Sequence, residues 1–140
     1  MILKRFYDEK LAQAICQAVK DVDASLILYG LAGSKLIDAA RGIGLACANE
    51  VFADRSYQDD GSLTPRTRAG AMIEDVDIAV AQVVRMVREG LVRSVDGKDV
   101  PVQADTLCIH GDQPNALVFA DGIRRALEQA GIEVRTPPRG

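Results

Sequence analysis

The chain has 140 residues, a length suited to one domain, and its 48% hydrophobic and 26% charged residues of mixed sign argue against intrinsic disorder. A formal net charge of −3, the lack of any Lys/Arg run, 4% aromatic content and no tryptophan argue against a nucleic-acid binder. No apolar run reaches the roughly 20 residues of a membrane span, and residues 1–7 are charged too early for a secretory signal.

Taken in chain order, residues 8–22 read as a helix, with Leu11, Ala14, Ile15, Ala18, Val19 and Val22 recurring at three and four and Asp8 as N-cap. Residues 25–30 form a short apolar run, expected as a buried strand. Gly33-Ser34 then opens a helix with Leu36, Ile37 and Ala40 inward, stopped by Gly42 and Gly44. Residues 45–50 are a second buried strand. From Val51 to Asp75 periodicity is lost, and a loop of that length is usually functional or disordered. A helix is expected over 77–89 with Gly90 just past its end, then a hairpin over 92–102 around Asp96-Gly97. A strand over 105–110 follows, then a helix from Pro114 to about Ala130 stopped by Gly131. Ile132-Glu-Val134 reads as a last short strand and residues 135–140 as a flexible tail. No internal repeat or low-complexity segment is visible.

This alternation predicts a single α/β domain over 1–140, with parallel strands joined by helical crossovers. Three core strands fall short of a closed barrel and leave sheet edges uncovered. The expectation is a partial barrel. Cys16, Cys47 and Cys108 are widely spaced, odd in number and without a CxxC pair. They read as reduced thiols of a cytoplasmic protein that serve as small buried hydrophobes.

The strand over 105–110 ends in His110-Gly-Asp112, which holds the only histidine. Ligands of parallel α/β folds bind where strand C-termini meet the next helix. Thr106, Cys108 and His110 share one face of that strand and Leu107 and Ile109 the other. His110 suits proton transfer or polarisation near neutral pH, with Asp112 orienting it or binding substrate. The structural alternative has Asp112 capping the next helix and His110 packing against it.

Ala46, Ala48 and Glu50 alternate onto one face, so Glu50 can point inward at its strand's end, with Asp54, Arg55 and Tyr57 close behind. Arg55 can clamp a carboxylate or phosphate. The alternative is a surface ion pair with a loop-closing Tyr57. Gly30-Leu-Ala-Gly-Ser-Lys35 places amides at a helix N-terminus, where an anion can sit. It does not match the Walker pattern, and a tight turn with Ser34 near the cap explains it equally well. One histidine fits no common zinc spacing. A hard cation on Glu50, Asp54 and Asp112 has no support, and no metal is expected.

Gly30-Leu-Ala-Gly-Ser34, Ala48-Asn-Glu-Val-Phe-Ala-Asp-Arg-Ser-Tyr57 and Asp60-Gly-Ser-Leu-Thr-Pro-Arg66 occur in order. They are followed by Gly70-Ala-Met-Ile, Gln82-Val-Val-Arg-Met-Val87 and Ala104-Asp-Thr-Leu-Cys-Ile-His-Gly-Asp112. Together these resemble the LamB/YcsF family, the A component of 5-oxoprolinase, over residues from about 11 to 134. The resemblance implies an irregular β/α barrel of the glycoside hydrolase/deacetylase type. It implies ATP-dependent hydrolysis of 5-oxoproline (pyroglutamate) to glutamate, carried out with two partner subunits. On that scheme Glu50, Asp54, His110 and Asp112 are expected in proton transfer or water positioning. Arg55 is expected on an anionic substrate group and Tyr57 beside the substrate, with the ATP contacts unassigned.

The family's Asp-Leu-Asn-Glu strand, His-Pro-Gly run and Lys-Pro-His-Gly-Ala-Leu-Tyr run do not occur here, and residues 1–7 do not resemble the family. The expectation is therefore the C-terminal half of the barrel with the N-terminal half missing. Such a chain pairs with that half or forms a homo-oligomer. A non-catalytic half-barrel interaction protein is the competing reading. A hydrolase acting without ATP, by analogy with deacetylase-type folds, is a third.

Overall fold

The computed structural model describes residues 8–112 and 114–137. The readings made for residues 1–7 and for the last three residues of the tail lie outside them.

Helix α1 (Glu9–Val22) starts where Asp8 accepts a hydrogen bond from Leu11 N at 3.0 Å. Its buried Ala12 and Cys16 pack on Leu36 and Ala40 of α2 (Lys35–Gly42) and on Leu45, forming a small satellite core. Strands β1 (Leu28–Leu31), β2 (Cys47–Phe52) and β5 (Thr106–Cys108) make a parallel sheet in the order β1-β2-β5. Leu31 pairs with Glu50, Glu50 with Thr106 and Phe52 with Cys108. Gly30 lets α2 close on this sheet: a Cβ there would lie 3.2 Å from Leu36 Cδ2 and 3.3 Å from Ile37 Cδ1.

Between β2 and β5 run α3 (Val76–Glu89) and an antiparallel hairpin, β3 (Leu91–Arg93) with β4 (Asp99–Pro101). The hairpin turns at the expected place, with Gly97 at φ +79°. Asp75 caps α3 by accepting from Asp77 N and Ile78 N, so the helix begins one residue earlier than its periodicity indicated. Helix α4 (Ala116–Gln129) packs beside α3. The main core joins Val51, Val83, Met86, Val92, Phe119, Ile123 and Leu127 from sheet, hairpin and both helices.

The architecture is the expected α/β sheet with helical crossovers. Among the described residues, however, the sheet is three open strands and not a barrel. Four local expectations change. β2 runs on to Phe52, because its ladder with β5 continues past Glu50. β5 stops at Cys108, two residues short of His110. Helix α4 begins at Ala116 behind Asn115, with Pro114 in the preceding turn. Residues 132–134 form no strand. Ile132 N instead bonds Leu127 O at 2.8 Å, finishing α4 behind Gly131 at φ +72°.

The stretch after β2 is ordered rather than loose. Arg55 bridges Met72, and Tyr57 bridges both Leu63 and Ser94. Tyr57 is 1% exposed, and its hydroxyl accepts from Phe52 N at 2.9 Å.

The tight helix crossing of α3 and α4 sets a stability prediction. A Cβ on Gly122 of α4 would stand 2.9 Å from Val76 Cγ1, a stiff β-branched atom. Gly122→Ala gains about 1 kcal/mol of helix propensity but incurs overpacking of about 1–3 kcal/mol. The net expectation is a lower Tm in thermal denaturation; a Tm at or above wild type would refute the close crossing.

Candidate functional site

The parallel register carries two polar residues to one point. Phe52 and Cys108 are the last paired residues of β2 and β5. Asp54 and His110 each lie two residues further on, so continuing the register sets them opposite one another. His110 Nδ1 lies 2.8 Å from Asp54 Oδ2 and 3.1 Å from Oδ1, and His110 N donates to Oδ2 at 3.4 Å. An ionised carboxylate only accepts, so the imidazole proton facing it sits on Nδ1. The Asp54 side chain is 2% exposed and that of His110 24%. The buried acid orients the ring, and the ring's partial exposure leaves its other nitrogen available for chemistry. Phe52 stacks on the imidazole, with centroids 5.7 Å apart and planes at 15°.

The pairing corrects the sequence reading in one respect. The partner of His110 is Asp54, not Asp112. Asp112 is exposed in the turn after His110 and neither pairs with the ring nor caps α4, whose cap is Asn115.

Glu50, Thr106 and Cys108 lie on the same sheet face by alternation and register. Burial raises the Glu50 carboxyl pKa, and the nearby His110 partly offsets it. Burial, then the charges of Glu50 and Asp54, raise the Cys108 thiol pKa, so it stays protonated and is no thiolate nucleophile. The Thr106 hydroxyl is buried with no partner.

Arg55 is 7% exposed and donates through Nη2 to Thr64 O at 2.7 Å, while its Nε has no partner. Burial and the neighbouring Arg66 lower its pKa, against the pull of Asp54 and Tyr57. Tyr57, expected beside the substrate, is a core residue. Burial pushes its phenol far above the ordinary tyrosine range, and its oxygen holds Phe52 N.

At the glycine turn, Gly33 has φ +70° and Ser34 precedes α2 without making a side-chain cap bond. The Ser34 hydroxyl is buried and unpartnered. A large apolar cavity opens elsewhere, where Ile27, Ala46 and Ala104 precede the three strands, and none of Glu50, Asp54 and His110 lines it. Among the described residues no group of three or more His, Cys, Asp or Glu side chains could hold a metal ion, and no helix is long and apolar enough to cross a membrane.

The model of the LamB/YcsF family matches residues 1–139, further in both directions than the motifs alone, and so takes in residues 1–7. The A component of 5-oxoprolinase from Bordetella pertussis is 68% identical over 128 residues, covering 91% of this chain and 51% of that protein. Its counterpart from Bacillus subtilis is 58% identical over 127 residues, covering 91% and 49%. The crystal structure of a lactam utilization protein from Thermus thermophilus matches with a TM-score of 0.85 at 46% identity, covering 95% of this chain and 53% of that one. The chain spans about half the length of the curated relatives it matches.

Two substitutions test the site's physics. A carboxyl with a raised folded pKa contributes stability that is full below its ordinary value of 4.5 and lost as pH rises through the folded value. Glu50→Gln removes that loss. Its Tm is expected to exceed wild type by roughly 1–3 °C at pH 7, with the difference gone below pH 4.5. Equal Tm values at pH 7 would show that Glu50 is not penalised. Tyr57→Phe leaves Phe52 N buried without its acceptor and is expected to destabilise by about 1–3 kcal/mol in urea denaturation.

Proposed function

This chain belongs to the LamB/YcsF family, and from that membership we propose that it supplies the acid–base wall of a site hydrolysing 5-oxoproline to glutamate with ATP. The observation that carries the reading is the buried Asp54 carboxylate holding His110 through Nδ1, at the C-terminal end of a parallel sheet. With Nδ1 protonated, the neutral ring offers Nε2 as a base. In the proposed reaction that nitrogen takes a proton from water as the oxygen attacks the lactam carbonyl carbon. The ring C–N bond breaks, and the nitrogen leaves as the amine of glutamate after taking a proton. Glu50, whose raised pKa helps it keep a proton, is the proposed donor. Asp112, on the exposed rim, is assigned to water positioning. Arg55, with an unpaired Nε, is assigned to the substrate carboxylate.

ATP supplies, when bound, the phosphoryl group that activates the lactam oxygen and drives an otherwise unfavourable hydrolysis. The unpartnered Ser34 hydroxyl and the uncapped start of α2 fit an oxyanion, and they are the residues proposed to hold a phosphate. The relatives are named as one component of a multi-component 5-oxoprolinase, which supports two partner subunits for this chain. The free thiols Cys16, Cys47 and Cys108 agree with a cytoplasmic setting.

The second reading is a half-barrel that pairs with itself or with a separate half. It is favoured by the outer edges of β1 and β5, which pair with no strand among the described residues. A well-folded monomer in sedimentation would count against it.

Reconstituted with the two partner subunits, the chain is expected to support 5-oxoproline-dependent ATP hydrolysis. His110→Gln should lower that rate by about 100-fold or more. Turnover untouched by His110→Gln removes the histidine from the mechanism, and no rate above background leaves the pairing reading.

A further inference from the structure

The turn that carries Asp54 hangs on a side chain from another layer of the molecule. Gln82 lies in the middle of α3, and its Nε2 donates to Phe52 O at 3.2 Å and to Arg55 O at 3.0 Å. These carbonyls flank Asp54 on both sides. One amide nitrogen therefore fastens the two ends of the segment whose only side chain directed at His110 is the Asp54 carboxylate. The other anchors of this turn are single backbone bonds: Ala53 N to Cys108 O at 3.2 Å and Ile73 N to Asp54 O at 2.9 Å. Tyr57 holds Phe52 N but reaches no further along the turn.

We propose that Gln82 is a positioning residue. By clasping the carbonyls on either side of Asp54, it holds that carboxylate where it selects the Nδ1–H form of His110. This rests on reading His110 as the base of the site and adds the element that sets which nitrogen is free. A neutral imidazole chooses between two tautomers according to which nitrogen finds an acceptor. With Asp54 at 2.8 Å the proton goes to Nδ1 and Nε2 is left as the base. When the turn loosens, the charge-assisted hydrogen bond lengthens and the preference weakens. Gln82 touches neither His110 nor the space where a substrate would bind, so its influence passes through Asp54. The choice of glutamine at this helix position follows. A leucine or methionine would pack in a half-buried position but would leave both carbonyls without their donor.

The experiment uses the protein's only histidine. Imidazole 15N chemical shifts, recorded at a pH where the ring is neutral, give the ratio of Nδ1–H to Nε2–H forms without interference from any other residue. Wild type is expected to be mainly Nδ1–H, and Asp54→Asn sets the value reached when the carboxylate is gone. Gln82→Met and Gln82→Glu remove the donor in two ways, one apolar and one charged. Each is expected to lower the Nδ1–H to Nε2–H ratio roughly fivefold, the worth of one hydrogen bond. Gly122→Ala, which strains α3 against α4 away from the turn, is the control for lost stability and should leave the ratio unchanged. The proposal is overturned if the Gln82 variants melt lower yet keep the wild-type ratio, or if Gly122→Ala shifts it equally. It also fails if neither Gln82 variant folds, since the residue is then a determinant of the fold. The readout needs no turnover. An inactive protein with an intact Gln82 effect would sink the catalytic reading alone, and an active one without that effect would sink this proposal alone.

Discussion

A carboxylate that is 2% exposed dominates the physics of this molecule. An ionised group taken out of water persists only when charged or polar partners replace its hydration. Asp54 finds that compensation in the His110 ring and backbone amide. The requirement reaches outward. His110 must sit two residues past the end of β5, β5 must pair with β2 in the register Phe52↔Cys108, and the turn after β2 must be fixed tightly enough to aim a short side chain. The buried Tyr57 hydroxyl and the Gln82 amide meet the last condition from opposite sides. The long segment between β2 and α3 is thus ordered by what the acid needs.

The two faces of the sheet divide the work. Val51 and Leu107 enter the core with α3 and α4, and that burial stabilises the fold. The opposite face carries Glu50, Thr106 and Cys108, which bring little stability and in the case of Glu50 reduce it. A raised carboxyl pKa and an unpartnered hydroxyl are features that folding alone would remove. Their presence beside the Asp54–His110 pair, and not scattered through the core, is what makes this face a site.

Much of this was legible in the sequence, because much of it is local. The caps at Asp8 and Asp75, the glycine stops, the hairpin at Asp96-Gly97 and the inward face of Glu50, Thr106 and Cys108 all follow from spacing over a few residues. The position of His110 at a strand end was legible for the same reason. Its partner was not. Asp112 stands two residues away in the chain, whereas Asp54 is 56 residues away and is brought close by a strand pairing that no local pattern encodes. Tyr57 was misjudged likewise. A polar aromatic in a loop reads as exposed until its bridges to Leu63 and Ser94 are known. Ile132-Glu-Val134 alternates like a strand, but the amide of Ile132 is already engaged in ending α4.

The helical layer is therefore part of the site's mechanics. Helix α3 is held on one side by α4, where Gly122 admits Val76 at a distance that no larger residue allows. On another side it reaches the sheet through Gln82. A helix fixed by close packing is a rigid mount, since interiors at crystal-like density transmit displacement and do not absorb it. A side chain on such a mount can hold a turn to within the few tenths of an ångström that a hydrogen bond tolerates, which a flexible loop cannot. The acid–base pair thus takes its polar atoms from the strand ends and its precision from α3. The close packing of α3 on α4 then belongs to the same arrangement as the hydrogen bond at His110.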